Sequence, residues 1–199
     1  DSGKVVRLRP EVEYFSGPDM GPQFMSDFGD LEGSFAGMQH CIDHTEGCNI
    51  LTLKSSKGVK GRLLLDRSNF YDSSCARQCA RVKELWSEGV QIRTIKPGGS
   101  GFASQHAKAW ILDGHTLLTG SCNLTHGGID NNSEHLLRIT NVDVVNKALN
   151  DFELFWAQAE PVTQKEIDIM QQKWDAKKSM QRDRSVSRSL SQELDSIEH

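Results

Sequence analysis

Residues Gln105–Asn123 read QHAKAWILDGHTLLTGSCN, two mainly apolar runs joined by a tight turn at Gly114. Successive side chains of a β-strand point to opposite faces, so His106 and Lys108 are predicted to share one face. Burying a lysine in a purely structural strand would be costly. The pair therefore indicates a functional site within an otherwise ordinary core segment.

The polar residues of this region suit the chemistry of a phosphate group. Lys108 offers a fixed positive charge to phosphate oxygens, and neutral His106 can attack phosphorus or carry a proton near neutral pH. Ser121 and Asn123 follow the second apolar run and can donate hydrogen bonds to the same oxygens. Glu134 opens the next predicted strand and is suited to hold a ring nitrogen of a histidine. Together they predict a nucleophile, an orienting carboxylate and a cluster of donors.

The order of these residues resembles the HKD motif of the phospholipase D superfamily. The matching positions are His106-x-Lys108-x4-Asp113, then Gly120-Ser121-x-Asn123, then Glu134. The wider order, over roughly residues 10–160, is similar to the compact single-motif members, which are bacterial endonucleases and mitochondrial cardiolipin hydrolase-like proteins. The resemblance implies an α/β fold: a phospholipase D-like mixed β-sheet flanked by helices on both faces, with a single HKD motif per chain.

The resemblance also implies a role for each matching residue. His106 would be the nucleophile, forming a covalent phosphohistidine, or the general acid. Lys108, Ser121 and Asn123 would bind the phosphoryl oxygens, and Glu134 would orient His106. Asp113 counts among the catalytic signature residues, although a structural role at the end of its strand suits it better. No metal and no cofactor is expected, because lysine and histidine side chains take the place of a metal ion.

A single motif leaves the reaction one histidine short, because one histidine must attack while another donates a proton. The other histidines offer no second His-x-Lys pair; they are His40, His44, His115, His126, His135 and His199. The resemblance therefore implies a symmetric homodimer that brings two motifs together across its two-fold axis.

Apolar periodicity and turn residues predict strands alternating with helices. Strands are expected in VEYFS, MQHCID, GRLLLD, VQIRTI, HAKAWILD, HTLLTG and EHLLRIT. Helices are expected in EGCNILTLKSSKG, in the segment 73–89 with candidate caps at Ser73 and Ser74, and in VDVVNKALNDFELFWAQ. The segment Gln23–Gly37 fits neither pattern.

The composition changes after Pro161, where charged residues and serines dominate. The sequence therefore predicts a catalytic domain over residues 1–160 and a charged, Ser/Arg-containing, disordered tail over residues 161–199. The tail resembles a kinase substrate, so a kinase is expected among the partners.

The five cysteines are an odd number without framework spacing, which favours reduced thiols in an intracellular protein. A zinc site at Cys41, His44 and Cys48 is the less favoured alternative, because their spacing matches no standard zinc pattern. The resemblance leaves the mitochondrial surface or the cytoplasm as the expected location. The chain begins at Asp1, so a leader or anchor removed upstream is compatible with it.

Three functions remain open at this point. The favoured one is a phosphodiesterase acting on a phospholipid such as cardiolipin, with release of phosphatidic acid. The second is an endonuclease acting on single-stranded DNA or RNA, which the net charge of −4 weighs against. The third is a non-catalytic phosphate-binding or dimerisation module, which the complete set of motif residues disfavours.

Overall fold

The computed structural model describes residues 10–71, 78–98 and 103–197 of the chain. Within these ranges eight strands form one mixed sheet. They are β1 Val12–Ser16, β2 Ser34–Gln39, β3 Lys60–Asp66, β4 Gln91–Ile95, β5 Ala109–Leu112, β6 Thr116–Gly120, β7 His135–Ile139 and β8 Glu160–Pro161.

Six α-helices accompany the described part of the sheet. They are α1 Met20–Gly29, α2 Thr45–Ser56, α3 Arg67–Phe70, α4 Gln78–Ser87, α5 Val142–Gln158 and α6 Gln164–Ile197. A short π-helical segment, Gly127–Asn131, lies between β6 and β7.

The sheet order is β1-β7-β6-β5-β2-β3-β4-β8. The central strands β2, β3 and β4 run parallel, and β5, β6 and β7 continue the sheet antiparallel. One face is covered by α1, α2 and α4, whose apolar residues join the larger core cluster. The other face is covered by α5 through Phe152 and Trp156. This arrangement confirms the predicted mixed α/β sheet with helices on both faces.

Local sequence signals explain several of these elements. The apolar run Leu63–Leu65 is completely buried, as expected for a central strand covered on both sides. Helix α2 ends just before Gly58, whose φ of +100° lies in the left-handed region that glycine adopts freely. Helix α5 occupies the predicted segment, and Asn141 caps it by accepting a hydrogen bond from the amide of Val144.

Other elements begin or end at different residues from those predicted. The strand expected in MQHCID begins earlier and forms β2, because its small and apolar residues pair with β3 and β5. Much of the unassigned segment Gln23–Gly37 belongs to α1 and β2. The strand expected from His106 starts only at Ala109, so His106 and Lys108 precede β5 instead of sharing a strand face. The candidate helix caps Ser73 and Ser74 lie outside the described residues.

The predicted disordered tail is the largest difference. The structure has helix α6 over Gln164–Ile197. Its first turns bury Ile167 and Met170, with Trp174 packed partly against the same core cluster. These residues recur three and four apart, so they form one apolar helix face, and the packed domain extends beyond residue 160.

The close approach of β2 to Trp110 generates a stability prediction. A Cβ added at Gly37 would lie 2.5 Å from the Trp110 ring. We expect Gly37→Ala to reduce the free energy of unfolding by about 1–3 kcal/mol through overpacking. Urea denaturation should show this loss. Gly29→Ala is the matched control, since a Cβ there meets nothing within 4 Å; an equal loss in both variants would contradict the packing argument.

Candidate active site

A buried carboxylate at the end of β3 holds the candidate site together. Asp66 has no exposed surface. One of its oxygens accepts a hydrogen bond from the amide of Asn69 at 2.7 Å and so caps α3. The other accepts from the amide of Gln105, also at 2.7 Å. Asp66 therefore fixes both α3 and the segment that carries His106.

His106 and Lys108 are in direct contact although they precede the strand. The Lys108 Nζ lies 2.8 Å from His106 Nδ1 and donates to the His106 carbonyl oxygen at 2.7 Å. Lys108 is only 8% exposed, whereas His106 is exposed. An ammonium group only donates, so a charged Lys108 leaves the lone pair of His106 on Nδ1 and its proton on Nε2.

The surroundings favour the uncharged form of His106. Burial lowers its pKa, and the positive charge of Lys108 and the nearby His40 lower the pKa further. Burial also lowers the pKa of Lys108, while the carboxylate of Glu134 opposes that shift. The site thus holds a neutral histidine, exposed to solvent, against a largely buried cation.

The remaining motif residues lie on the turn after β6 and at the start of β7. Ser121 donates its hydroxyl hydrogen to one oxygen of Glu134, and the Asn132 amide donates to the other at 3.3 Å. Glu134 therefore contacts the serine, and its predicted hydrogen bond to His106 is not formed in this structure. The Asn123 Oδ1 is buried and, among the described residues, has no hydrogen-bond partner.

Two residues from the neighbouring strand end position this turn. The side chain of Gln39, fully buried at the end of β2, accepts a hydrogen bond from the amide of Leu124 at 2.9 Å. Asp43 accepts from the amide of His126 at 2.8 Å. Cys122 is buried at the variable motif position, and burial raises the pKa of its thiol to about 12, which keeps it protonated.

Asp113 lies at the opposite end of β5 from His106. Its carboxylate accepts hydrogen bonds from the amides of Glu32, Gly33 and Ser34 at 2.7–3.0 Å. These bonds lower the pKa of Asp113, although burial opposes them. Asp113 adopts a positive φ of 49°, so it forms the turn between β5 and β6 and ties it to the start of β2.

The role of Asp113 can be tested by substitution. Asp113→Ala should cost about 2–4 kcal/mol of unfolding free energy, because three backbone amides lose their acceptor. Asp113→Asn keeps one acceptor oxygen and tolerates the positive φ, so its loss should be smaller. Chemical denaturation measures the unfolding free energy of the parent and of both variants. An alanine variant as stable as the parent would contradict this structural role.

Sequence reasoning missed three residues next to His106: His40, Asn69 and Asp66. The His40 ring lies 5.1 Å from the His106 ring, measured between centroids. His40 Nδ1 lies 3.2 Å from the Gln105 carbonyl oxygen, and its Nε2 lies 3.4 Å from the Asn69 amide nitrogen. Asp66 ends β3 and His40 follows β2; these parallel strands end at one edge of the sheet, and that shared edge was the available signal.

The zinc alternative is not formed by the residues predicted for it. Cys41 is disulfide-bonded, which also makes the prediction of reduced thiols wrong for this residue. The spacing of cysteines along the chain does not reveal which sulfur atoms meet in space. Cys48 is a buried free thiol whose pKa burial raises to about 12.

A different cluster contains His44, His126 and Asp130, with one ligand atom of each within 4.8 Å of the others. His44 Nδ1 accepts from the amide of Gly47, and His126 Nε2 accepts from the amide of Thr45. Each ring therefore carries its proton on the nitrogen that faces Asp130. A metal ion bound to these nitrogens would move each ring proton to the other nitrogen, which now accepts a backbone hydrogen bond, so both of those bonds would be lost. We therefore interpret the cluster as a hydrogen-bonded link between α2 and the π-helical segment.

This link generates a pH prediction. Burial lowers the pKa of His44 below 6.5, although Asp130 raises it and His126 lowers it further. A folded pKa below the unfolded one means that protonation favours the unfolded chain. The stabilising contribution is complete above pH 6.5 and is lost as pH falls through that value toward the folded pKa.

His44→Asn tests the pH prediction, because asparagine caps a helix well and does not titrate. The variant should lose less stability than the parent between about pH 8 and about pH 5. His44→Ala should be less stable by about 1 kcal/mol at the higher pH. Thermal melts across this range provide the measurement, and parallel curves for the parent and the asparagine variant would refute it.

The fold and the motif geometry define a phospholipase D-like domain. Residues 35–156 match the family model described as "Cardiolipin synthase, PLD-like domain", so the chain belongs to this family. This confirms the resemblance drawn from the motif, and members of this superfamily are phosphodiesterases. Among the described residues, no helix has both the length and the apolarity needed to cross a membrane.

Curated relatives agree with this assignment, and solved structures share the fold. The chain is 33% identical over 112 residues to the mitochondrial cardiolipin hydrolase of Xenopus tropicalis, covering 56% of this chain and 49% of that protein. It spans about half the length of these curated relatives. The crystal structure of Nuc, a phospholipase D family member from Salmonella typhimurium, matches with a TM-score of 0.67 and 22% identity, covering 77% of this chain and 99% of Nuc. NucT from Helicobacter pylori matches with a TM-score of 0.66 and 15% identity, covering 76% of this chain and 98% of NucT.

Proposed function

We propose that this protein is a metal-independent phosphodiesterase that cleaves a phospholipid such as cardiolipin through a covalent phosphohistidine at His106. The contact between the buried Lys108 ammonium and the exposed His106 ring carries the proposal. It supplies a fixed positive charge for phosphate oxygens beside a neutral imidazole nucleophile. The similarity to mitochondrial cardiolipin hydrolases supports the lipid substrate and a mitochondrial association.

Substrate binding would itself prepare the nucleophile. Without substrate, Lys108 occupies His106 Nδ1. Phosphate oxygens would compete for the N–H groups of the ammonium and release Nδ1. The neutral ring can then carry its proton on Nδ1 and present the Nε2 lone pair to phosphorus. Ser121 and Asn123 would donate to the phosphoryl oxygens, in exchange for the present contact of Ser121 with Glu134.

The reaction would proceed in two displacements. Nε2 of His106 attacks phosphorus, the P–O bond to the leaving group breaks, and the leaving oxygen takes a proton from a second histidine. Water then gives a proton to that second histidine and attacks phosphorus, the P–N bond breaks, and its electron pair returns to His106. In a homodimer, His106 of the partner subunit would be that second histidine. Glu134 is proposed to orient a histidine once Ser121 has turned toward the substrate.

A cleft beside the site favours lipid over nucleic acid. It has a volume of about 640 Å³, and its rim includes Asn132, which donates to Glu134. Apolar side chains of Met25 and Ile129 line it together with the carboxylates of Glu46 and Asp130. Its lining includes neither lysine nor arginine, so it suits the phosphates of neither substrate, but its apolar side chains offer contacts to lipid chains.

An endonuclease acting on single strands is the alternative, because a nucleic-acid diester presents the same phosphorus chemistry.

One assay distinguishes the phospholipase from the endonuclease. Purified protein in EDTA is given cardiolipin vesicles or a single-stranded oligonucleotide, with His106→Ala as the matched variant. We expect vesicle hydrolysis that survives EDTA and falls at least about 1,000-fold in the variant. Cleavage of the oligonucleotide alone would select the nuclease, and loss of all activity in EDTA would refute the mechanism.

The pH dependence provides a second test. Protonated His106 cannot attack, so activity is lost as pH falls through its folded pKa. Burial, Lys108 and His40 lower that pKa below 6.5. The acid limb of kcat/KM should therefore lie below pH 6.5 in the parent protein. An acid limb clearly above pH 6.5 would contradict the assignment of His106 as a neutral nucleophile.

A further inference from the structure

A buried glutamine lies next to two of the proposed phosphate-binding residues. Gln39 ends β2 and has no exposed surface. The antiparallel register of β2 with β5, continued by one residue, places Gln39 opposite Lys108. Its Oε1 accepts a hydrogen bond at 2.9 Å from the amide of Leu124, the residue that follows Asn123. Gln39 therefore lies between the two chain segments that supply Lys108 and Asn123.

The bond to Leu124 fixes which end of the Gln39 side chain is a donor. A backbone N–H only donates, so the side-chain atom that faces it must be the oxygen, and the other atom must be Nε2. Gln39 Nε2 is buried and, among the described residues, has no hydrogen-bond partner. Because a buried donor without a partner is costly, an acceptor beside Nε2 would be stabilising.

The side chain of Asn123 carries the complementary unpaired group. Asn123 Oδ1 is buried and also lacks a partner within the described part of the chain. One peptide bond joins Asn123 to Leu124, whose amide Gln39 already holds. The unpaired donor and the unpaired acceptor thus lie on either side of a single hydrogen bond, and pairing them would satisfy both.

An asparagine can bind a phosphate in only one orientation of its amide. Oδ1 only accepts and would repel phosphate oxygens, whereas Nδ2 donates to them. The two ends have nearly the same shape, so packing alone does not select one of them. A donor that bonds Oδ1 from the buried side would make the selection, because it leaves Nδ2 facing the phosphate.

We propose that Gln39 is a positioning residue, which donates from Nε2 to Asn123 Oδ1 and so turns Asn123 Nδ2 toward the phosphoryl oxygens. The inference rests on the proposed function, in which Asn123 binds these oxygens. Gln39 has no exposed surface, so it acts on the substrate only through Asn123. Lys108 supplies the charge of the phosphate site, and the oriented amide supplies a directed hydrogen bond.

Inorganic phosphate is a probe of this orientation that does not depend on turnover. Asn123→Ala should weaken phosphate binding about 10-fold, because one hydrogen bond to a charged group is lost. Gln39→Met keeps nearly the size of glutamine but has no donor. It should weaken binding about 5-fold, because the Asn123 amide is no longer held in one orientation. Isothermal titration calorimetry measures the dissociation constants.

A double-mutant cycle distinguishes this role from a general effect on the turn. Gln39→Met also removes the acceptor of the Leu124 amide, so stability falls whether or not Asn123 is present, and chemical denaturation measures that loss. If Gln39 acts through Asn123, adding Gln39→Met to Asn123→Ala should weaken phosphate binding by less than about 2-fold further. A displaced turn would instead weaken binding equally in both backgrounds.

Asp43→Ala is the matched control for the cycle. It removes the acceptor of another amide of the same turn, that of His126. Asp43 carries no donor for Asn123 Oδ1, so any weakening of phosphate binding by Asp43→Ala should be the same with and without Asn123→Ala.

The contrary results are distinct. A further loss of about 5-fold in the double variant would overturn the proposal and leave Gln39 as a support of the turn backbone. Phosphate binding at the parent level in Gln39→Met, or in Asn123→Ala, would overturn it as well. Hydrolysis of cardiolipin vesicles that persists in His106→Ala would refute the proposed function instead, while the phosphate-binding cycle would still decide the role of Gln39.

Discussion

The buried carboxylate of Asp66 is the constraint on which the site depends. It ends strand β3, in which Leu63–Leu65 are completely buried, and bonds two backbone amides that are far apart in the chain. Because a buried carboxylate is costly without such partners, the two amides and the carboxylate stabilise one another only in this arrangement. One interaction thereby places α3, the Gln105–Lys108 segment and the contacts of His40 in a common frame.

The interaction between Lys108 and His106 explains how one site can hold both a cation and a neutral nucleophile. A buried ammonium next to an imidazole keeps the imidazole neutral, and the neutral imidazole in turn accepts a hydrogen bond from the ammonium. The carboxylate of Glu134 favours the charged form of Lys108 and is hydrogen-bonded to Ser121. A substrate phosphate would pair with the Lys108 ammonium and release the His106 ring from it, so that substrate binding would activate His106.

Much of this fold could be predicted from local signals. The short apolar run Leu63–Leu65 is bounded by turn residues, as expected for a buried strand, and the segment of α5 has the apolar spacing of a helix; both formed as expected. The failures have physical causes. Helix α6 was missed because its apolar face is short and is followed by a long charged stretch, and the start of β5 was misplaced because strand pairing ends where Lys108 turns toward His106.

The candidate site was predictable only where a motif marks it. His106 and Lys108 are two residues apart and could be paired from sequence alone. His40, Asn69 and Asp66 are brought to them by parallel strands whose ends meet at one edge of the sheet, and sequence distance conceals that meeting.

Direct detection of the covalent intermediate tests the central claim most sharply. The protein is mixed with cardiolipin vesicles, quenched rapidly in alkali to preserve a P–N bond, and analysed by intact-mass and peptide mass spectrometry. The account predicts an added phosphatidyl group on the peptide that contains His106, and its absence in His106→Asn. A phosphoryl adduct on a different residue, or undiminished turnover by His106→Asn, would contradict it.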